Sequence, residues 1–122
     1  MGATNIAISG ILSSVISSYS TAFTHIGVGD GVTTPTVSDT TLTNETDRDA
    51  LFDTLTDSTF SVSGSIFLDT TENNGNDIRE CGIFDALTGG NMLSHSLTNT
   101  ISKTSSIEVF IEILINLEVA NI

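Results

Sequence analysis

The first residues with the spacing of a chemical motif are the glycines of the run Gly27-x-Gly29-x-Gly31. A dinucleotide-binding turn would need another glycine three positions later, where Thr34 stands, and a P-loop would need Gly-Lys followed by Ser or Thr. Asp30 lies inside the run, and its negative charge would repel a phosphate. We therefore expect the run to form a tight turn at the end of the first strand.

The chain offers few other candidates for catalysis or metal binding. Its two histidines, His25 and His95, have no nucleophile at the spacing of a catalytic pair, and no Gly-x-Ser-x-Gly turn occurs. Cys81 stands without the Cys-x-x-Cys or His-x-x-x-His pairing that anchors a metal site. The sequence therefore predicts a protein that is not an enzyme and has no cofactor.

Two alternatives that use carboxylates stay open. A calcium ion could be bound by a loose set of Asp69, Glu72 and Asp77, although the spacing of an EF-hand loop fails around Gly75. A small depolymerase would need two carboxylates about 5 to 9.5 Å apart in a groove. Among 15 Asp and Glu residues the sequence singles out no such pair.

The scarcity of cations is the clearest compositional signal. The chain has 15 Asp and Glu against 3 Lys and Arg, which gives a formal net charge of −12. A duplex nucleic acid requires a basic face on its partner, and an anionic membrane surface would repel this chain. We therefore expect neither nucleic acid nor membrane as a partner.

The few cations lie close to carboxylates in the sequence. Arg48 follows Glu45, and Arg79 directly precedes Glu80. The planar guanidinium of arginine suits bidentate, partly buried pairing with a carboxylate. We predict a set of residues that form structural ion pairs or meet a carboxylate of a neighbouring subunit: Glu45, Arg48, Arg79, Glu80 and Lys103.

Length and hydropathy predict one folded domain over residues 1–122. This length is close to that of a typical domain, and 39% hydrophobic residues with a mean hydropathy of +0.23 exclude a disordered acidic chain. The single cysteine excludes an internal disulfide framework. No apolar run reaches the ~18 residues that a membrane span requires.

A helix is predicted over residues 4–19. Apolar residues recur there at the spacing of one helical face, with serines between them: Ile8, Ile11, Leu12, Val15, Ile16 and Tyr19. A stripe of this kind is typical of a helix that covers the edge or the face of a sheet.

Residues 22–119 alternate between apolar and polar positions, which predicts strands near 22–28, 50–55, 60–68, 78–85 and 92–97. The longest alternation is C-terminal. One face is apolar at Ile107, Val109, Ile111, Ile113, Ile115, Leu117 and Val119, and the other carries Phe110 and Leu114 between polar residues. At about 3.3 Å per residue this strand would span roughly 40 Å. We predict that it bends between two sheets or pairs with another subunit.

These patterns favour a mainly β fold, an antiparallel β-sandwich of six to eight strands with one N-terminal amphipathic helix. The sandwich would occupy residues 22–119 and end in the long C-terminal strand.

Four segments of the chain together resemble a known family. They are Phe23-Thr24-His25-Ile26-Gly27-Val28-Gly29-Asp30-Gly31, Thr41-Leu42-Thr43-Asn44-Glu45-Thr46-Asp47-Arg48, Asn74-Gly75-Asn76-Asp77-Ile78-Arg79-Glu80-Cys81-Gly82-Ile83-Phe84-Asp85, and Lys103-Thr104 before the long strand. In order and spacing they resemble structural proteins of tailed viruses, which include the N-terminal modules of tail-collar fibre proteins and small stand-alone virion proteins. The Ile-Arg-Glu-x-Gly-Ile-Phe-Asp segment is the most specific part.

The resemblance implies a non-enzymatic, β-rich protein of the virion that forms homo-oligomers, with a trimer favoured as in fibres. Its partners would be other virion proteins of the tail, baseplate, fibre or capsid. We expect a tail or fibre-attachment module of the adsorption apparatus, with a capsid decoration protein as the alternative. A carbohydrate-binding β-sandwich is a weaker alternative, because the chain has no Trp and one Tyr with which to stack sugars.

Overall fold

A computed structural model describes residues 23–58 and 61–116, and these residues form seven β-strands. In chain order they are β1 (His25–Gly29), β2 (Glu45–Ala50), β3 (Asp53–Ser58), β4 (Ser61–Leu68), β5 (Asp77–Phe84), β6 (Met92–Ser102) and β7 (Val109–Asn116). The helix predicted over residues 4–19 lies outside the described residues. Within those residues the structure has no helix that is long and apolar enough to cross a bilayer.

The strands form two antiparallel sheets. The four-stranded sheet has the order β2-β1-β5-β6, and the three-stranded sheet has the order β3-β4-β7. Every strand pairing is antiparallel. The prediction of a mainly β, antiparallel protein is therefore confirmed.

One apolar core joins the two sheets. The four-stranded sheet contributes Ile26, Val28, Ile78, Cys81 and Ile83, and the three-stranded sheet contributes Ile66, Leu68, Val109, Ile111 and Ile113. Because both sheets bury alternate side chains in the same cluster, the arrangement is sandwich-like.

The glycine run has a different role from the one expected. Gly27 and Gly29 lie inside β1, and only Gly31 follows the strand. The expected tight turn was wrong because Ile26 and Val28 alternate with these glycines and point into the core. The glycines therefore occupy the outer face of the four-stranded sheet, where they leave room above the backbone.

The edge strand β2 was missed by the sequence patterns. Its residues, Glu-Thr-Asp-Arg-Asp-Ala, include no large apolar side chain, so no alternation is visible. The pairing of β2 with β1 supplies the hydrogen bonds that make it a strand. β6 is also longer than predicted, since it runs from Met92 to Ser102.

The C-terminal strand starts later than predicted. β7 begins at Val109, whereas Ile107 precedes it, is 38% exposed, and donates its backbone N–H to the Thr104 carbonyl. Within β7, Val109, Ile111 and Ile113 face the core, in agreement with the predicted alternation. Ile115 is half-buried against the same core, and Leu117 and Val119 lie outside the described residues.

Candidate functional site

Arg48 is the centre of a buried polar group on the outer face of the four-stranded sheet, here called the Arg48 cluster. Its Nε and Nη2 donate to the two carboxylate oxygens of Glu45 at 2.6 and 2.7 Å. Its Nη1 donates to the backbone carbonyls of Ala86 and Gly89 at 2.9 and 2.7 Å. The guanidinium carbon lies 3.5 Å from the centroid of the Phe84 ring. Arg48 thus ties β2 to β5 and to the loop that follows β5.

The cluster depends on a position without a side chain. Gly27 pairs with Arg48 across β1 and β2. A Cβ at Gly27 would lie 2.8 Å from both a Glu45 carboxylate oxygen and a Phe84 ring carbon. The glycine therefore lets the ion pair and the aromatic ring pack flat against the sheet. Arg48 and Glu45, both members of the predicted ion-pair set, are paired within the chain.

Glu80 is the centre of a second buried polar group, the Glu80 cluster. Its side chain is fully buried, and its two oxygens accept backbone N–H bonds from Gly31, Thr43 and Asn44 at 2.8 to 2.9 Å. These donors belong to both ends of the 30–44 loop that connects β1 to β2. Glu80 on β5 therefore closes that loop from inside.

His95 completes the Glu80 cluster. Its Nε2 lies 2.8 Å from a Glu80 oxygen, and its Nδ1 lies 2.8 Å from an oxygen of Asp39 in the middle of the loop. Because an ionised carboxylate can only accept hydrogen bonds, His95 makes both bonds only when each ring nitrogen carries a proton. The imidazolium then bridges two carboxylates, with its side chain 4% exposed.

The hydrogen bonds of the cluster change the acidity of its carboxyl groups. Burial raises the pKa of Glu80, but N–H donors from Asn44, Thr43 and Gly31 together with His95 outweigh it and bring the pKa below its usual value. The backbone N–H of Thr36, followed by His95, lowers the pKa of Asp39. Both carboxylates are therefore held ionised at neutral pH.

Neither His95 nor Cys81 is placed for nucleophilic catalysis. Both ring nitrogens of His95 are occupied by carboxylates, and the buried Ser94 Oγ beside it makes no hydrogen bond with them. Cys81 is a core residue, and burial followed by the charge of Glu80 raises the pKa of its thiol to about 11. A thiol with so high a pKa is protonated and inert at neutral pH.

The other residues of the predicted set bind groups that the sequence did not specify. Arg79 is paired with Asp77 at 2.8 Å, and its side chain is 35% exposed. Lys103 is 1% exposed, and its Nζ donates to the Asn74 side-chain oxygen and the Thr104 carbonyl. Lys103 therefore fixes the 69–76 loop through neutral oxygens.

An acidic cluster lies beside β2. Asp47, Asp49 and Glu72 place carboxylate oxygens within 4.8 Å of one another, so these residues could hold a cation. Burial, a hydrogen bond with Glu72 and the charges of Asp47, Glu72 and Asp69 raise the pKa of Asp49 to about 7. The calcium set weighed from the sequence is not the one assembled, because Asp77 pairs with Arg79.

The outer face of the three-stranded sheet carries an exposed apolar patch, here called the aromatic face. It consists of Phe52, Phe67, Phe110 and Leu114. The Phe52 ring lies 6.0 Å from the Phe67 ring and 6.0 Å from the Phe110 ring, measured between centroids. Phe52, Phe110 and Leu114 are 62%, 54% and 57% exposed.

β7 also forms one edge of that sheet. It pairs with β4 from Val109 to Asn116, and no other strand among residues 23–58 and 61–116 pairs with it. Within the described part of the chain, β7 is therefore an edge strand with one side that no other strand pairs.

Two clefts lie next to the buried clusters. One, of about 460 Å³, lies between residues 35–39 and 92–95 and includes His95 in its wall. The other, of about 410 Å³, lies between residues 45–48 and 87–89 over the Arg48 cluster. In both clefts the nearest charged side chains already bind within the chain.

No pattern in the sequence indicates the roles of Asp39 and His95. The two residues are 56 positions apart, and the loop that carries Asp39 has no periodic pattern. Glu80 belongs to the predicted ion-pair set, and its partners are three backbone N–H groups and His95, which no side-chain pattern reveals. No family model matches the chain, and a search of curated proteins gave no match.

Proposed function

We propose that this chain is a non-enzymatic structural protein of a tailed-virus particle, acting where fibres attach to the tail. The proposal begins from the resemblance of four chain segments to virion proteins of that kind. The observation that supports the proposal is that residues from separate resembling segments contact one another. Gly31, Asn44 and Glu80 come from three of those segments and meet in the Glu80 cluster.

The Arg48 cluster follows the same pattern. Gly27, Glu45, Arg48 and Phe84 also belong to the resembling segments, and they contact one another on the outer face of the same sheet. Residues that tie separate segments of the chain together maintain a fold. A motif made of residues that hold the fold together is expected in a structural protein. The motif of an enzyme instead brings reactive side chains together.

The chemistry of the clusters supports a function without catalysis. His95 has no free ring nitrogen, and the Cys81 thiol is buried with a raised pKa. A general base must be able to accept a proton, and a nucleophile must be ionised and accessible. His95 does not meet the first condition, and Cys81 does not meet the second.

The edge of β7 supports assembly with other subunits. Edge strands readily pair with a strand of another chain, and natural monomers cover or charge such edges. We propose that β7 pairs with a strand of a neighbouring copy and that the copies form a trimer. This pairing uses the backbone of β7, whereas the side chains of Ile111 and Ile113 stay in the core.

Cross-linking in intact particles tests the location. A carboxyl-reactive cross-linker suits this acidic chain, and the exposed Glu108 and Glu112 lie next to or on β7. We expect mass spectrometry to find these residues linked to tail, baseplate or fibre proteins. Links to capsid subunits alone would support the decoration alternative, and a particle without this chain would refute the proposal.

Sedimentation of the purified protein tests the assembly separately. At micromolar concentration we expect a trimer whose β7 amides exchange slowly with deuterium on both edges of the strand. A folded monomer with β7 equally protected would make pairing between subunits unnecessary.

A further inference from the structure

The aromatic face is an exposed, contiguous apolar surface. Three of its four side chains are more than half exposed, and the three rings are in mutual contact through Phe52. Exposed apolar patches of this kind mark surfaces that bind a partner. The occupant must therefore be apolar on one side and must reach this face.

The chain upstream of β1 joins the described residues beside the aromatic face. Leu51 donates its N–H to the Thr24 carbonyl at 3.0 Å, so the backbone at residue 24 runs next to residue 51. Phe52 is the next residue, and its N–H binds the Ser65 carbonyl on β4 at 2.8 Å. The described chain therefore starts, at residues 23 and 24, within a few residues' length of Phe52.

The sequence of that upstream segment matches the face in pattern and in length. Its apolar stripe covers residues 8–19, which as a helix would be about 18 Å long. Phe110 and Leu114 are four residues apart on β7, or about 13 Å. Residues 20–22 can span roughly 10 Å when extended, enough to connect residue 19 to the start of the described chain.

Charge distinguishes this segment from a second copy of the protein. Residues 1–22 contain no Asp, Glu, Lys or Arg, whereas the whole chain has a net charge of −12. Glu112 lies on β7 between Phe110 and Leu114 and is exposed. Two aromatic faces packed together would bring two copies of Glu112 into one interface, and like charges there are costly.

We propose that residues 8–19 form a helix that lies on the aromatic face of their own chain. Ile8, Ile11, Leu12, Val15, Ile16 and Tyr19 would contact Phe52, Phe67, Phe110 and Leu114. The serines of the segment would face solvent. The helix closes the face of the three-stranded sheet and leaves the edge of β7 for other subunits, so the proposal does not depend on the proposed function.

Cross-linking within the full-length chain tests the contact. In a Cys81→Ala background, Leu12→Cys and Leu114→Cys are joined with a short bis-maleimide. We expect one intrachain link, seen as a monomer band on a denaturing gel and as a linked peptide pair. The control pair, Leu12→Cys with Val37→Cys, should not link. Val37 is fully exposed on the 30–44 loop, which Glu80 holds on the four-stranded sheet and not on the sheet that carries the aromatic face.

Two paired variants provide a second measurement. Ile11→Asp with Val15→Asp places two charges on the apolar stripe, and Ser13→Asp with Ser17→Asp places the same charges at the same spacing on the opposite side. Hydroxyl-radical labelling of Phe110 and Leu114 should be low in the parent protein. It should rise several-fold with the first pair and stay unchanged with the second.

Each outcome bears on the proposal. A dimer band from the Leu12→Cys and Leu114→Cys protein would show that a second copy covers the face and would overturn the proposal. High labelling of Phe110 and Leu114 in the parent protein would show an uncovered face and would also overturn it. The parent protein gives both results without relying on the folding of the Asp variants.

Discussion

The Glu80 side chain shows how much one residue contributes when its partners are all buried. Four donors converge on its two oxygens, and a glutamine would replace one oxygen with an NH₂ group that faces donors. We predict that Glu80→Gln lowers the free energy of unfolding by roughly 2 to 4 kcal/mol. Urea denaturation measures it. Glu108→Gln, on an exposed carboxylate before β7, is the control and should change the value by less than about 0.5 kcal/mol.

Arg48 and Arg79 form a matched pair of arginines with different surroundings. Arg48 makes four hydrogen bonds and stacks on Phe84, whereas Arg79 makes one bond, to Asp77. A lysine cannot reproduce the planar, forked geometry. We predict that Arg48→Lys costs about 1.5 to 3 kcal/mol of stability, and Arg79→Lys less than about 0.5 kcal/mol. Equal losses in urea denaturation would contradict the structural role of Arg48.

Ion-pair partners can be proposed from the sequence only where they are near in the chain. Glu45 and Arg48, both in the predicted set, are three residues apart on β2 and bind each other. Arg79 and Glu80 are adjacent, but alternation on β5 prevents neighbours from sharing a face. Lys103 belongs to the predicted ion-pair set, yet its Nζ donates to the side-chain oxygen of Asn74 in a distant loop and to the carbonyl of the neighbouring Thr104. Proximity in sequence cannot reveal such contacts.

The 30–44 loop is held by side-chain hydrogen bonds within the loop and to β6. Asp39 accepts from the backbone N–H and the hydroxyl of Thr36, and it binds His95 across the loop. We predict that Asp39→Ala speeds amide exchange in residues 32–41 several-fold while the exchange of the core strands changes little, because residues 32–41 contribute no side chain to the core. Hydrogen exchange with mass spectrometry measures both.

Ser38→Ala is the control for the loop. Its hydroxyl contacts only the Thr36 hydroxyl among the bonds of this turn. Exchange in the loop should therefore stay close to that of the parent protein. If both substitutions had the same effect, the bond between Asp39 and His95 would not be what holds the loop.

The alternation of apolar and polar residues predicted the strands that border the apolar core. β4, β5 and the buried face of β7 were found from their apolar residues. β2 could not be found in this way, because it is an edge strand whose side chains bind polar groups outside the core. The glycines of β1 were misassigned for a related reason, since a glycine on a strand's outer face looks in sequence like a turn residue.

The whole molecule should be most stable in mildly acidic solution. The pKa of Asp49 is about 7, above the unfolded value of 3.8, so the folded state binds more protons between these pH values. Stability therefore falls as pH rises from about 5 to 8. We predict a melting temperature roughly 3 to 6 °C higher at pH 5.5 than at pH 8, with solvent screening of a half-buried group taken into account.

At acidic pH, stability changes with pH in the opposite direction. The pKa values of Asp39, Asp69, Glu80 and Asp85 lie below their usual values, so their contribution is present above the unfolded pKa and is lost as pH falls through the folded one. Stability should decline below about pH 4. Asp49→Asn should flatten the profile between pH 5.5 and 8 only. A parent profile that rises toward pH 8 would contradict this account.

The 30–44 loop also separates positions that must stay constant from positions that can vary. Gly31 is held by Glu80 on one side, and Thr36 and Asp39 are held by each other and by His95 on the other. Val32, Thr33 and Thr34 between them are exposed. A foreign peptide inserted between Thr33 and Thr34 would be anchored at both ends without entering the core. The fold thus provides a natural position for displaying peptides.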